Sequence, residues 1–159
     1  MNKVLFIAII SLLTLSSYAK ESLKNPVTIT LKSYQQEISI NKKGKRVTKW
    51  LKPSKVVPGS IIKYQSTITN STNKTLKNAT LMSKIDKNLI FIPNSIKSKL
   101  TYEVEFSVDG KHFAKPNKLQ IVGKDGKKHL ATAKDYRAIK FTLFDLPKEA
   151  TISYQTKVK

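Results

Sequence analysis

The chain has no cysteine, only five glycines, two arginines and one tryptophan among its 159 residues. The missing cysteine excludes disulfides, thiol nucleophiles and thiolate metal sites, along with a lipid-modified N-terminal cysteine. Five scattered glycines leave no glycine-rich phosphate loop. Helical periodicity is absent as well: no segment repeats apolar residues convincingly at three- and four-residue spacing. Acids are scarce, with ten Asp and Glu against thirty Lys and Arg, for a net charge of +20.

What is present begins with MNKVLFIAIISLLTLSSYA. Lys3 gives a positive start, Val4 to Leu15 form an apolar run, and Ser17-Tyr18-Ala19 supplies small residues for cleavage. This is the pattern of a secretory signal, residues 1–19, cut after Ala19; it is short for a membrane span, and a retained anchor is the alternative. Removing it takes away only Lys3, so the mature 140 residues carry a net charge of +19. No later apolar stretch is long enough to span a bilayer. Export to the periplasm or cell surface of a bacterium is the expected localisation.

Beyond the signal, alternation dominates. Val27, Ile29 and Leu31 alternate with polar residues after Pro26, and residues 37–40 and 46–51 flank Asn41-Lys42-Lys43-Gly44-Lys45 as a hairpin. Ile62, Tyr64, Ser66 and Ile68 share one strand face after the Pro58-Gly59 turn. The cleanest run places Leu100, Tyr102, Val104, Phe106 and Val108 on one face; Ile152, Tyr154, Thr156 and Val158 close the chain. Residues 128–136 offer at most a turn or two of helix. Many short half-apolar strands separated by turn signals predict an all-β, antiparallel Ig-like β-sandwich in a single domain. Residues 20–50 supply an N-terminal strand and basic hairpin that belong to the sandwich, and residues 51–159 its core. The open edges are expected at the first strand, residues 27–31, and the last, residues 151–158.

Three runs carry a family resemblance: Lys55-Val56-Val57-Pro58-Gly59-Ser60, then Ile68-Thr69-Asn70-Ser71, then Leu76-Lys77-Asn78-Ala79-Thr80-Leu81. Together with Ile85-Asp86-Lys87-Asn88-Leu89-Ile90-Phe91-Ile92-Pro93, they resemble the bacterial conserved-repeat domain of surface proteins, domain of unknown function 11. The resemblance spans roughly residues 50–159 in a single copy, with Lys140-Phe141 where family members often carry Arg-Trp. It implies an Ig-like sandwich in an envelope or surface protein, and no catalytic residues.

The chemistry of the residues points the same way. His112 and His129, the only histidines, lie in turn-rich segments flanked by lysine and read as solvated loop residues rather than general bases. Asp109, Asp125, Asp135 and Asp145 fall singly near strand ends, where turn-forming aspartates belong, and not in the dense set a calcium loop needs. Glu103 and Glu105 read as a solvent face. No enzyme, no metal and no cofactor is expected. An unidentified envelope or surface protein is the expected partner, met by surface or strand-edge contact. The alternative partner is an anionic envelope polymer, lipopolysaccharide or acidic glycan. It would be held by Lys42, Lys43, Lys45, Arg46 and Lys49, with Trp50 just behind, or by Lys124, Lys127 and Lys128. Trp50 stacks on a sugar or base in that reading; in the other it joins the core. Nucleic acid is less favoured, because 28 of the 30 basic residues are lysine, which lacks arginine's planar fork for base edges.

Overall fold

The structure, a computed structural model, describes residues 26–159; the expected signal, residues 1–19, lies outside the described residues. Strands follow in the order β1 (Val27–Ile40), β2 (Arg46–Leu51), β3 (Ile61–Asn70), β4 (Leu76–Lys84), β5 (Leu89–Phe91) and β6 (Lys97–Ser98). After them come β7 (Tyr102–Ser107), β8 (Gln120–Val122), β9 (Lys128–Leu130), β10 (Ala138–Leu146) and β11 (Glu149–Val158). The described residues contain no helix. Residues 128–136, expected to hold a turn or two of helix, contain β9 and a tight turn in which the Asp135 N–H bonds the Thr132 carbonyl. The fold is an all-β, antiparallel sandwich.

One layer runs β2-β1-β3-β11-β5, with β6 also on β11; the other runs β4-β10-β7, and β8 pairs only with β9. The alternation seen in the sequence decides what lies between the layers. Ile62, Ser66 and Ile68 of β3 and Ala150, Ile152 and Tyr154 of β11 point inward and are buried. Leu81 from β4 and Ile139, Phe141, Leu143 and Leu146 from β10 meet them from the other side. Each such side chain contributes roughly 1.5–3 kcal/mol by leaving water. Aromatic rings fill the flank near β7: Phe106 stacks on Tyr136 at 4.2 Å and lies 4.9 Å from Phe91. The buried Tyr154 hydroxyl crosses the gap to Ser83 Oγ at 2.8 Å, tying β11 to β4.

The Pro58-Gly59 turn opens β3 as a four-residue turn in which the Ser60 N–H bonds the Val57 carbonyl at 2.9 Å. Gly59 has a φ of +88°, the left-handed geometry that follows proline in a type II turn and that only glycine adopts without strain.

Two expectations about edges and strands need correction. Residues 27–40 form one continuous strand of 14 residues, not two separated ones. Its first part pairs with β3, from Val27–Asn70 to Gln35–Ile62, and its last part with β2, from Gln35–Leu51 to Ile40–Arg46. The last strand is not an edge: β11 pairs with β3 on one side and with β5 and β6 on the other. β11 instead inserts between strands that precede it in the chain, an order that local alternation does not encode.

Candidate functional site

The layers differ in width, and the difference exposes β1. Ile29 pairs directly with Ile68, so both face inward, yet Ile68 is 3% exposed and Ile29 52%. Leu31, two residues on, is 54% exposed. β4 is the outermost strand of the narrower layer on this side, and Leu31 meets only the rim of an open cleft it shares with Tyr64 and residues 83–87, so both side chains stay about half exposed. The wider layer overhangs.

Among the described residues, the same stretch has an open edge. From Val27 to Tyr34, β1 pairs with β3 alone, because β2 begins its pairing at Gln35. Open edges invite pairing with other chains, and proteins blunt them with charge, kinks, shortness or covering loops. The other edges here use those devices. β2 carries Arg46 and Lys49, and β5 and β6 are three and two residues long. β7 is bridged by the chain beyond it, where Phe106 and Ala114 exchange backbone hydrogen bonds. β4 carries Lys77 and Lys84, and Asn78 within it is left-handed, with a φ of +53°. The stretch Val27-Thr28-Ile29-Thr30-Leu31-Lys32-Ser33 has one charge and no kink.

On the other face of the overhang, the structure assembles a cationic–aromatic group. Lys63 of β3 lies between two rings, its Nζ 4.8 Å from the centre of Tyr34 and 4.6 Å from that of Trp50. Trp50 therefore belongs to the outer face and not to the core. Sequence reading missed Tyr34 and Lys63 as its neighbours. The pairings Tyr34–Lys63 and Gln36–Trp50 bring them together, and register across three strands cannot be read from one strand's alternation.

The basic residues expected to meet an anionic ligand divide into groups. Lys42, Lys43, Lys45 and Arg46 are exposed around the β1–β2 turn. Asn41 Oδ1 holds this turn by accepting from the N–H groups of Lys43 and Lys45 at 2.9 and 3.0 Å. Lys49 sits opposite Glu37, on the face of the hairpin away from Trp50. Lys124, Lys127 and Lys128 surround the β8–β9 turn, which hangs from the β7–β10 connection. That places the clusters on opposite flanks of the sandwich, β2 beyond β4's side and β8–β9 beyond β7's. The structure does not bring them together. Asp125 sits within the second cluster and accepts from the Lys127 N–H at 3.1 Å, offsetting part of its charge.

The histidines each meet an aspartate. His112 Nδ1 lies 2.6 Å from Asp109 Oδ2, and Asp109 Oδ1 accepts from Ser107 Oγ and from the N–H groups of Lys111 and His112. The His112 side chain first, then these backbone donors, hold the Asp109 carboxyl well below the usual carboxylate range. Ser107 and His112 both end on Asp109, not on each other, so no serine–histidine nucleophile pair forms. His129 Nε2 lies 3.1 Å from Asp125 Oδ1, and this contact, followed by the Lys127 N–H, lowers the Asp125 pKa. Gly123 is needed beneath this pair, because a Cβ there would come within 2.6 Å of Asp125 Oδ1 and 2.8 Å of the His129 ring. Asp135 accepts from the Thr132 N–H and hydroxyl, and Asp145 pairs with Lys77. Each aspartate closes a turn or joins adjacent strands. Glu103 and Glu105 are ion-paired, with Lys115 and Lys140.

Among the described residues, no three His, Asp or Glu side chains gather closely enough to hold a metal ion. An apolar cleft of about 360 Å³ opens beside β7, floored by Phe91, Phe106 and Tyr136 and rimmed by Ile96, Tyr102 and Val104. It contains no carboxylate, histidine or lysine with which to orient or activate a substrate. No described helix is long and apolar enough to cross a membrane. Compared with known proteins, the chain matches no family model, no curated protein and no solved structure.

Proposed function

We propose that this protein is a non-enzymatic, exported module of the bacterial envelope that acts by strand-edge contact with another protein. The observation that carries the reading is the edge of β1 left open among the described residues, whose inward-facing Ile29 and Leu31 lie half exposed beside it. Strand addition would satisfy the edge's free backbone groups, and alternate side chains would set specificity. The signal-like N-terminus and the resemblance to the conserved-repeat surface domain support the compartment and an Ig-like lineage for the sandwich.

A second reading is supported by the Tyr34–Lys63–Trp50 group next to the lysine-rich β1–β2 turn. Half-exposed rings beside cations suit an acidic glycan or lipopolysaccharide, attracted by charge and gripped by stacking. Nucleic acid stays the least favoured ligand, for want of arginine.

Co-sedimentation of the purified protein with isolated envelopes across a salt series separates these readings. Strand-edge contact gives binding that survives high salt and is lost in Ile29→Lys, a substitution at an exposed position that leaves the fold intact. Binding that disappears with salt, is unaffected by Ile29→Lys and falls in Trp50→Ala supports the anionic polymer instead. Binding no stronger than that of an unrelated protein of equal charge would sink both.

A further inference from the structure

We propose that the open edge of β1 is filled by the β1 of a second copy of this chain, paired antiparallel about a twofold axis at Thr30. The inference rests on the strand-edge reading above and names its partner. A twofold interface must be self-complementary, since each residue meets its counterpart's mirror position. Centred on Thr30, the pairing sets Ile29 opposite Leu31 of the second copy and Leu31 opposite its Ile29. The four half-exposed apolar side chains then form one cluster on the inward face. Thr30 meets Thr30, and Thr28 meets Lys32, so no two lysines of the edge stand opposite each other. A pairing centred on Leu31 would set Leu31 opposite itself and Ile29 opposite Ser33, and one centred on Ile29 would set Leu31 opposite Val27 but pair only residues 27–31, five against seven.

The length of the opening fits as well. The second copy's β1 can run along the edge only as far as Ser33, because Leu51 takes up the pairing opposite Gln35 and Lys52 and Pro53 border a cleft beside Lys32, Ser33 and Tyr34. In the proposed register, Val27 meets Ser33 of the other copy and Pro26 falls opposite its Tyr34. Proline has no N–H to give, so pairing stops one step before the two chains would compete for the same edge. Each copy fills the other's seven-residue opening, and the wide layers join into one continuous sheet. Both copies are strongly cationic, so repulsion opposes association at low salt and is screened as salt rises. Self-pairing strengthens with salt, whereas binding of an anionic polymer weakens.

The absence of cysteine makes the test direct, because Thr30→Cys introduces the chain's sole thiol. Residues directly opposite across antiparallel strands have Cβ atoms about 4.5–5.5 Å apart, near disulfide reach. The two Thr28 positions would lie about 14 Å apart along the strands, four residues at ~3.4 Å each. The protein, purified as its host processes it, is compared with both variants under mild oxidation. Thr30→Cys is expected to yield a disulfide-linked dimer and Thr28→Cys a monomer. In sedimentation velocity, the unmodified protein dimerises more tightly as salt rises. Ile29→Lys loses the dimer, and Ile29→Lys with Leu31→Glu recovers it, because each lysine then faces a glutamate. No cross-link at Thr30→Cys, or equal cross-linking at both positions, overturns the proposal. If Thr30→Cys fails to cross-link while Ile29→Lys still abolishes envelope binding, the edge meets a different protein and the broader reading stands. If Thr30→Cys cross-links while Ile29→Lys leaves envelope binding unchanged, self-pairing stands and envelope contact through this edge falls.

Discussion

Ile29 and Ile68 are the same residue type, on adjacent strands, directly paired and facing the same way, yet one is half exposed and the other buried. β3 lies beneath the narrower layer and β1 lies past its rim. The pair separates two questions that alternation merges: which face of a strand is apolar, and whether a second layer covers that face. In most of this sandwich the answers coincide. On β1 they part, and the apolar face becomes a surface available to a partner.

The largest effect expected from this contrast is in stability. Ile68→Ala removes a packed side chain from the core and should cost about 2–5 kcal/mol. Ile29→Ala empties no cavity and should cost less than about 0.5 kcal/mol, as surface substitutions do. Chemical denaturation of the two variants, measured dilute enough to keep the protein monomeric, checks the difference. Equal losses would mean that β1 is covered after all, and would undo the argument built on its exposure.

A second effect belongs to the covered region alone. Burial pushes the Tyr154 hydroxyl up to about 12 from an ordinary value of 10, with Tyr64 adding to the rise and the Ser83 hydrogen bond opposing it. Between those values the unfolded chain releases a proton that the folded chain keeps, so stability falls as pH rises above 10. The full loss is roughly 2–3 kcal/mol by pH 12, at about 1.4 kcal/mol per unit. Lysines lose their charge over the same range, so the decisive quantity is the difference from Tyr154→Phe, whose stability should decline less steeply. Parallel declines would show that Tyr154 titrates normally and that solvent reaches it.

Much of this architecture was legible in the sequence. The inward residues of β3 and β11, and Ile139, Phe141 and Leu143 of β10, follow from alternation, while Leu146 falls out of that phase; the hairpin at Gly44 follows from its turn residues. Of the four aspartates read as turn formers, Asp109, Asp125 and Asp135 do hold turns, because their short side chains reach nearby N–H groups, whereas Asp145 pairs with Lys77 across β10 and β4. What could not be read was lateral order. That β11 enters the middle of a layer, that β1 continues unbroken from one neighbour to the next, and that Tyr34, Lys63 and Trp50 meet all depend on which strands become neighbours. Pairing between distant segments leaves little trace in local pattern. The basic residues were visible one by one, but their division between opposite flanks was not.

The overhang's outer face gives a smaller effect. Lys63 between Tyr34 and Trp50 makes two partly exposed cation–aromatic contacts, each worth about 0.5–1 kcal/mol. Lys63→Met keeps the aliphatic stem and loses the charge, so a cost of about 1 kcal/mol is expected, with a shift in the emission of the chain's single tryptophan. A cost without a spectral change would place the contribution of Lys63 elsewhere than at Trp50.

The smallest effect tests the covered side for a flaw. Thr156 is fully buried on β11, opposite Ile62 and Phe91, and its Oγ1 makes no well-formed hydrogen bond, with the Tyr64 side chain as the neighbour that interacts with it. A buried hydroxyl without a partner costs about 1–3 kcal/mol relative to one that is satisfied. Valine has nearly the same shape and no hydroxyl to leave unmet. Thr156→Val should therefore be neutral or stabilise the protein by up to about 1 kcal/mol, seen as an unchanged or raised denaturation midpoint. A clear loss would mean that the hydroxyl is bonded after all, to the Tyr64 hydroxyl or to a water. The space between β11 and β10 would then be wetter than the contrast with β1 requires.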